Sequence, residues 1–167
     1  MEQLTTILNA IHRKKEFSCG KSILNNYLHL QASQDVKRKL SACFVLTDEK
    51  TNVIVGYYTL SNNSIPFNIV PGNLRRKLPK SYSSIPVTLI GRLAIDSNYQ
   101  LQGMGRILLI DALKRCYHIS KSIGSFAVIV DPLDTAVEKF YSKYGFVLLP
   151  DSGKMFLPMK TIRKLFE

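Results

Sequence analysis

The chain has 167 residues, of which 23 are Lys or Arg and 12 are Asp or Glu, giving a formal net charge of +11. This length predicts one domain over residues 1–167, and no apolar run approaches the ~20 residues needed to cross a bilayer. We therefore expect a cytoplasmic protein without a membrane segment, whose basic surface attracts polyanions such as nucleic acid.

The cysteines and histidines indicate neither a metal site nor a disulfide framework. Cys19, Cys43 and Cys116 are an odd number at wide spacings, and the three histidines lack the spacing of metal ligands. We expect reduced thiols, with Cys116 packed in the core from the apolar face of a helix.

The first half of the chain predicts a helix, a β-hairpin and a loop. After an N-terminal run that fits either an edge strand or a helical turn, residues 23–31 show the apolar spacing of one helix face, with Ser22 as the expected N-cap. Residues 42–47 and 53–60 are rich in β-branched and aromatic residues around a polar turn, which predicts a hairpin. Residues 61–84 contain three prolines and predict a long loop.

The second half predicts strands alternating with helices. A strand at residues 86–96 precedes a helix that runs from Ile107 and ends near Gly124. The remaining elements are a buried strand at residues 126–130, a helix capped by Asp134 or Thr135 and ended by Gly145, and closing strands at residues 146–149 and 155–159. This order predicts an α/β fold with a mixed sheet and helices packed on it.

Residues 100–106, which read Gln-Leu-Gln-Gly-Met-Gly-Arg, lie between a strand and a helix, and we call them the glycine turn. Backbone N–H groups at a helix start lack intrahelical acceptors, and the helix dipole adds partial positive charge there. Gly103 and Gly105 let a phosphate approach the main chain. The spacing does not fit a P-loop, because Arg106 and Ile107 follow the second glycine, nor a dinucleotide-binding fingerprint, which requires a third glycine.

Two motifs resemble those of the GNAT acetyltransferase family. The glycine turn is similar to the Gln/Arg-x-x-Gly-x-Gly/Ala loop that binds the acetyl-CoA pyrophosphate, and residues 140–146 are similar to the family's Phe-Tyr-x-x-x-Gly-Phe. The resemblance implies a GNAT fold, with a mixed central sheet flanked by helices. Within the family, the GNAT toxins of bacterial toxin–antitoxin modules look closest, and they acetylate the α-amine of aminoacyl-tRNA. The segments that resemble those toxins are residues 19–20, 24–25, 27–28, 72–76, 85–87, 91–94 and 115–117.

The resemblance implies acetyl-CoA as the cofactor and a set of residues that bind it. The backbone of Leu93, Ala94 and Ile95 is expected to pair with pantetheine and to donate an N–H to the thioester oxygen. The diphosphate is expected on the main chain of the glycine turn. The expected contacts there are Gln100, Leu101, Gln102, Gly103, Met104, Gly105 and Arg106.

By the same resemblance, Tyr141 lies near the cofactor sulfur and acts as the general acid. A phenol whose ordinary pKa is near ~10 keeps its proton at neutral pH and can donate it to a departing thiolate. From residue type alone, a Tyr beside a Phe more often packs a helix against a sheet. Many family members also place an Asn near the start of this helix, where the chain has Asp131 and Asp134, so that cofactor contact is unassigned.

Substrate contacts are expected among the basic residues Arg75, Arg76, Lys77, Lys80 and Arg92, which can bind tRNA phosphates or form a solvated basic face. The resemblance further implies a homodimer and a neighbouring antitoxin with a ribbon-helix-helix domain. Two other functions stay open at this point: a GNAT enzyme acting on a small-molecule or protein amine, and a non-catalytic nucleic-acid-binding module.

Overall fold

The computed structural model describes residues 3–167, and over that range it contains seven strands and six α-helices, with short 3-10 and π-helical turns between some of them. The strands are β1 (Thr6–Ile7), β2 (Ala42–Thr47), β3 (Ile54–Pro66), β4 (Ser84–Ile95), β5 (Ala127–Val130), β6 (Val147–Leu148) and β7 (Met155–Pro158). The helices are α1 (Ser22–Asn26), α2 (Ala32–Arg38), α3 (Gly72–Arg75), α4 (Met104–Ser120), α5 (Thr135–Lys143) and α6 (Met159–Arg163).

The strands form one mixed sheet in the order β1-β2-β3-β4-β5-β7-β6, so the predicted α/β class is confirmed. Two compact units are distinguished within the chain. Unit 1 comprises the chain up to Ser61 together with Ile90–Arg115, and unit 2 comprises Asn62–Leu89 and Cys116–Glu167. The expectation of one domain over residues 1–167 stays a prediction. None of the helices within residues 3–167 is long and apolar enough to cross a membrane.

In unit 1 the predicted first helix is present, but two of its details were wrong. A π-helical turn, Tyr27–Gln31, joins α1 to α2 without a break. Leu24, Tyr27 and Leu28 pack in the core, as the spacing predicted, whereas Ile23 is exposed. Ser22 is the first helical residue rather than the N-cap, and Lys21 occupies the cap position without a side-chain hydrogen bond to the helix.

The predicted hairpin is confirmed, and its second strand is longer than expected. Strands β2 and β3 pair antiparallel, from Ala42 opposite Leu60 to Thr47 opposite Ile54. β3 then continues to Pro66, through residues that the prolines had assigned to a loop. Pro66 stands at the end of the strand, where a missing N–H is tolerated.

The N-terminal run forms an edge strand, which settles the choice that the sequence left open. β1 pairs antiparallel with β2. Just before it, the Leu4 N–H donates to Asp111 Oδ1 at 2.8 Å, and the Thr5 hydroxyl donates to Asp111 Oδ2 at 2.5 Å. The Tyr58 hydroxyl also donates to Asp111 Oδ2, at 2.8 Å. This buried carboxylate of α4 therefore fixes residues 4 and 5 in unit 1, since each of its oxygens accepts a hydrogen bond.

In unit 2 the closing strands and the α5 helix follow the prediction. β7 pairs antiparallel with both β5 and β6. Asp134 is the N-cap of α5 and accepts a hydrogen bond from the Val137 N–H at 2.9 Å. Gly145, at φ +94°, follows the helix in the left-handed conformation that glycine favours.

Two features near the helices of unit 2 differ from expectation. α4 ends at Ser120, and Gly124 is not among the glycines with positive φ, so the prediction that Gly124 caps this helix was wrong. Instead, the backbone N–H groups of Lys121, Ser122 and Ile123 donate to carbonyls of the last turn. The basic tail, for which no element was predicted, contains the short helix α6, whose Met159 and Ile162 are buried.

Candidate functional site

The glycine turn lies in unit 1, after the end of β4 and at the start of α4, as the sequence predicted. The helix begins at Met104 rather than at Ile107, so Met104, Gly105 and Arg106 form its first turn. Their N–H groups precede the first intrahelical hydrogen bonds, and the dipole of a 17-residue helix points its positive end toward them. The arrangement favours an anion at this position.

The main chain of the turn is open to a ligand. Leu101 and Gly103 adopt positive φ values of 61° and 78°, and Leu101, Gln102 and Gly103 are exposed. A Cβ built on Gly103 would meet no atom within 4 Å. Arg106 is exposed on the first turn of α4 and adds a full positive charge. Open main chain, helix N–H groups and a guanidinium are the groups that a diphosphate requires.

Asp96 and Gln100 hold the turn in place through hydrogen bonds to main-chain atoms. Asp96 is buried, and its Oδ1 accepts from the Asn98 N–H at 2.9 Å while its Oδ2 accepts from the Ser18 N–H at 3.0 Å. Gln100 Nε2 donates to the carbonyl oxygens of Ile95 at 2.8 Å and Cys19 at 2.9 Å. The side chain of Gln100, predicted to contact the cofactor, is therefore bonded to two protein carbonyls.

The three strand residues predicted to pair with pantetheine lie at the end of β4. Ala94 and Ile95 are buried and Leu93 is partly buried. Gly56, on β3, allows a close approach here, because a Cβ at that position would lie 2.7 Å from Ile95 Cδ1 and 3.0 Å from the Ala94 carbonyl oxygen. A side chain at residue 56 would therefore displace this strand or its neighbour.

Sequence reasoning did not identify Asp96 or Gly56. A signal was present for both residues. An Asp at the end of an apolar strand, followed by Ser and Asn, is typical of a turn in which the side chain accepts from the main chain two residues on. A single Gly inside a strand pattern indicates a close backbone approach. Neither pattern, however, names the segment that the residue contacts.

Tyr141 lies in unit 2 near the end of α5 and is only 5% exposed. Its ring packs edge-on against Phe140, with centroids 5.3 Å apart, and against Phe146, with centroids 5.2 Å apart. Burial raises the pKa of Tyr141 above its ordinary value, so the hydroxyl stays protonated at neutral pH. The environment favours a proton donor, and the catalytic role stays a prediction.

The two acidic residues that replace the family's Asn have other partners. Asp131 accepts a hydrogen bond from Lys154 Nζ at 2.8 Å and forms an ion pair with it. Asp134 caps α5. Both carboxylates are thereby engaged within unit 2, and the cofactor contact that the Asn makes in other family members stays unassigned.

Four of the five basic residues predicted to bind nucleic acid lie on α3 and the turns after it, and we call residues 72–80 the basic segment. Arg75 is half-buried and donates to the Asn68 carbonyl oxygen at 2.7 Å, while Arg76 donates through Nε to the Gly72 carbonyl oxygen at 3.1 Å. Lys77 and Lys80 are exposed. This segment of unit 2 therefore presents several cations to solvent.

The fifth basic residue, Arg92, belongs to unit 1 and has a different environment. Its guanidinium lies over the ring of Tyr27, 3.4 Å from the centroid. The Tyr27 hydroxyl donates to Asp35 at 2.8 Å. Burial, with a smaller effect of that hydrogen bond, raises the pKa of Tyr27 to about 12. Arg92 is thus a stacked, partly buried cation rather than a mobile surface charge.

Cys116 lies in the core, as its place on the apolar face of a helix predicted. Cys43 is also buried, and Cys19 is partly exposed. Burial raises the pKa of the Cys43 thiol to about 12, which keeps it neutral and unreactive. Over residues 3–167, no group of three or more His, Cys, Asp or Glu side chains is placed to hold a metal ion.

Comparison with known proteins establishes the class of this protein. Residues 39–148 match the family model described as an acetyltransferase (GNAT) domain. The chain therefore belongs to the GNAT acetyltransferase family, which confirms the family and fold that the two motifs indicated.

Within that family the chain is similar to bacterial toxins. It is 35% identical over 150 residues to a tRNA-acetylating toxin of Mycobacterium tuberculosis, an alignment covering 89% of this chain and 87% of the relative. It matches the structure of AtaT complexed with acetyl-methionyl-tRNAfMet with a TM-score of 0.90 and 28% identity, over 98% of both chains. It also matches the structure of a tyrosine-to-phenylalanine variant of the AtaT toxin, which is bound to the C-terminus of the antitoxin AtaR and to acetyl-CoA. That match has a TM-score of 0.79 and 26% identity, and it covers 97% of this chain and 96% of the other.

Proposed function

We propose that this protein is an acetyl-CoA-dependent N-acetyltransferase that acetylates the α-amine of aminoacyl-tRNA and thereby blocks translation. The observation that carries the proposal is the agreement, over 98% of both chains, with a toxin whose structure contains acetyl-methionyl-tRNAfMet. The similarity to a tRNA-acetylating toxin supports the same substrate. A net charge of +11 suits a polyanionic substrate, because lysines and arginines that neutralise phosphates release counterions.

Acetyl-CoA fits the glycine turn by the chemistry of its residues. The open main chain at Gly103, the first N–H groups of α4 and the Arg106 guanidinium would hold the diphosphate. The backbone of Leu93, Ala94 and Ile95 would pair with pantetheine. When bound, acetyl-CoA supplies the acetyl group as a thioester, and an N–H of this strand end would stabilise negative charge on the carbonyl oxygen.

The proton for the departing thiolate is assigned to Tyr141. Its buried phenol is protonated at neutral pH because burial raises its pKa. The α-amine of an aminoacyl ester is less basic than a lysine side chain, so a neutral amine is available near pH 7 and water suffices to remove its proton. The overall transfer forms a C–N bond, breaks the C–S bond and leaves a thiol.

The tRNA contacts are assigned to Arg75, Arg76, Lys77, Lys80 and Arg92. Arg76, Lys77 and Lys80 are the exposed cations of this set and are suited to phosphate contacts that position the substrate. Arg92 is preoriented by its stack on Tyr27, so it loses less side-chain freedom when it binds an anion.

Three further properties complete the proposal. The protein acts in the cytoplasm, where charged tRNA is found, and it acts as a homodimer. An antitoxin carrying a ribbon-helix-helix domain neutralises it. The structure that pairs the AtaT toxin with the C-terminus of the antitoxin AtaR supports a protein partner of this kind.

The test is transfer of labelled acetyl groups from acetyl-CoA to purified charged tRNA. We expect label in the aminoacyl-tRNA fraction, and we expect release of N-acetyl amino acid when the ester is hydrolysed. Uncharged tRNA and tRNA charged with an N-blocked amino acid are the matched controls, because both lack the free α-amine. Labelling of a polyamine or of a protein lysine, with none on charged tRNA, would contradict the proposal.

A further inference from the structure

Residues 17–20, which we call the anchoring segment, are fixed from two sides in unit 1. On one side, the Ser18 N–H donates to Asp96 Oδ2 and the Ser18 carbonyl accepts from the Ser97 N–H at 2.8 Å. On the other side, the Cys19 N–H donates to Asn25 Oδ1 at 2.8 Å. Phe17, at its start, is 1% exposed and packs in the core of this unit. The segment is therefore a fixed support rather than a free loop.

The glycine turn uses this support directly. Gln100 Nε2 donates to the Cys19 carbonyl at 2.9 Å and to the Ile95 carbonyl at 2.8 Å, so one amide group joins the anchoring segment to the end of β4. Asp96 makes the second link, through Ser18. Both links end on main-chain atoms, which means that they fix backbone positions rather than side-chain rotamers.

The turn needs such restraint because two of its residues gain little from packing. Leu101 has a positive φ of 61° and is fully exposed, and Gly103 has no atom near the position of a Cβ. A non-glycine residue with positive φ costs free energy and persists only where the surroundings hold it. An anion site made of N–H groups binds well only when those groups already point at the ligand.

We propose that Asp96 and Gln100 are positioning residues, which tie the glycine turn to the anchoring segment and so set the affinity for the diphosphate of acetyl-CoA. This inference depends on the proposed function, in which the turn binds that cofactor. Asn25, on α1, contributes to the same restraint, because its Oδ1 accepts a hydrogen bond from the Cys19 N–H and so holds the anchoring segment. Cofactor affinity thus depends on a residue 75 positions before the motif that carries Gln100.

The variants that test this are Gln100→Met and Asn25→Ala. Methionine preserves the length of the side chain and removes both N–H donors, and it adds no charge beside the phosphates. Asn25→Ala removes the acceptor for the Cys19 N–H at a residue that lies outside the glycine turn, and Asn25→Asp restores an acceptor. Asn98→Ala is the matched control. Asn98 is exposed, and its hydrogen bonds to Asp96 and Gln102 are made by its backbone, so this substitution should preserve them.

We measure acetyl-CoA binding by calorimetry, steady-state kinetics on charged tRNA, and amide hydrogen exchange in the turn of the free protein, which is followed at the Ile107 N–H because that group donates to the Gly103 carbonyl oxygen. For Gln100→Met and Asn25→Ala we expect Kd and KM for acetyl-CoA to rise about tenfold, kcat and KM for tRNA to stay within about threefold, and exchange in the turn to accelerate. Asn25→Asp and Asn98→Ala should bind like the parent. The double variant should weaken binding by less than the product of the two single effects, because both act on one segment.

The outcomes separate this inference from the proposed function. If the parent binds acetyl-CoA and both single variants bind it equally well, the positioning role is wrong and the proposed function stands. If the parent does not bind acetyl-CoA, the proposed function is wrong, and the inference falls with it. If exchange in the turn of the free protein is unchanged in both variants, the link to the anchoring segment is wrong whatever the cofactor does.

Discussion

The glycine turn of unit 1 and the α5 helix of unit 2 are held by contacts of different range along the chain. The hydrogen bonds that fix the turn join Asp96 to Ser18, 78 positions away, and Gln100 to Cys19, 81 positions away. Around Tyr141, the ring partners are Phe140 and Phe146, from the same helix and the turn after it. The turn can therefore be disturbed by changes far away in sequence, whereas the ring contacts of Tyr141 with Phe140 and Phe146 respond to changes nearby.

The largest effect is expected from Tyr141→Phe, which tests the local side of this comparison. The change removes only the hydroxyl and preserves the ring that packs on Phe140 and Phe146, so the fold should be retained. Loss of a general acid lowers rates by about 10²–10⁴-fold, and we expect a fall of about 10³-fold in acetyl transfer to charged tRNA. The measurement is the initial rate at saturating acetyl-CoA.

Tyr144→Phe is the matched control, because Tyr144 also packs on Phe140 but is not assigned a role in the chemistry. It should retain the parent rate within about twofold. A Tyr141→Phe variant with the parent rate and normal acetyl-CoA affinity would show that Tyr141 serves only in packing.

The pH dependence follows from the same residue. Burial raises the pKa of Tyr141 above its ordinary value of about 10, so the phenol is fully protonated below that pH. The ratio of parent to Tyr141→Phe rates should therefore be constant from pH 6.5 to pH 9, although both rates rise as the α-amine loses its proton. A ratio that falls through a midpoint in this range would mean that the phenol ionises there and that its burial is not maintained in solution.

Gly56→Ala tests the long-range side of the comparison, with a smaller expected effect. The added Cβ would lie 2.7 Å from Ile95 Cδ1 and 3.0 Å from the Ala94 carbonyl oxygen, and the backbone atom cannot move without displacing β4. Overpacking of this kind costs about 1–3 kcal/mol of unfolding free energy, which urea denaturation measures. Weaker binding of acetyl-CoA should accompany it, because residues 94 and 95 are assigned to the cofactor.

Gly124→Ala controls for the loss of a glycine. A Cβ there would meet no atom within 4 Å, and Gly124 is not among the residues with positive φ. The unfolding free energy should change by less than about 0.5 kcal/mol. Equal destabilisation by both substitutions would contradict the close approach at Gly56.

The basic segment provides a further test of a locally held region, because its arginines donate hydrogen bonds to carbonyl oxygens close to them in sequence. The double charge reversal Arg76→Glu with Lys77→Glu should raise KM for charged tRNA about tenfold and reduce the salt dependence of binding by about one power of salt concentration per lost phosphate contact. Acetyl-CoA affinity should be unchanged. A control of the same charge is Lys15→Glu with Lys50→Glu, which alters two exposed lysines of unit 1. Equal effects of the two pairs would indicate attraction by net charge alone.

The sequence separation between contacting residues also explains which features of the site the sequence predicted and which it missed. The glycine turn, the Asp134 cap and Gly145 can each be recognised from residues a few positions apart, and the structure has all three where that local spacing placed them. Asp96 and Gly56 were missed because the partners of both residues come from other parts of the chain. A local pattern shows that a turn or a close approach exists, but the tertiary fold decides what fills it.

The same reasoning explains two wrong predictions. Three prolines suggested that residues 61–84 form a loop, yet β3 extends to Pro66 and β4 begins at Ser84, because strand pairing overrides local propensity. Residue type alone predicts a helix cap at Gly124, whereas α4 ends at Ser120. The catalytic role of Tyr141 comes from the family resemblance and the nucleic-acid contacts come from the basic residues themselves, and both stay predictions.

The smallest effect is expected from Arg92→Lys. Comparing it with Arg76→Lys distinguishes a contact between distant residues from a contact between neighbouring ones, without a change of charge. Arg92 stacks on Tyr27, with 3.4 Å between the guanidinium carbon and the ring centroid, and an ammonium group cannot reproduce that planar stack. We expect a loss of about 0.5–1 kcal/mol in unfolding free energy.

Arg76→Lys should leave the unfolding free energy almost unchanged, because Arg76 is exposed and its hydrogen bond is to the Gly72 carbonyl oxygen, four residues earlier. Urea unfolding of the two variants side by side provides the measurement. If both cost the same, the stack on Tyr27 contributes no stability, and Arg92 is restrained no more than a surface arginine.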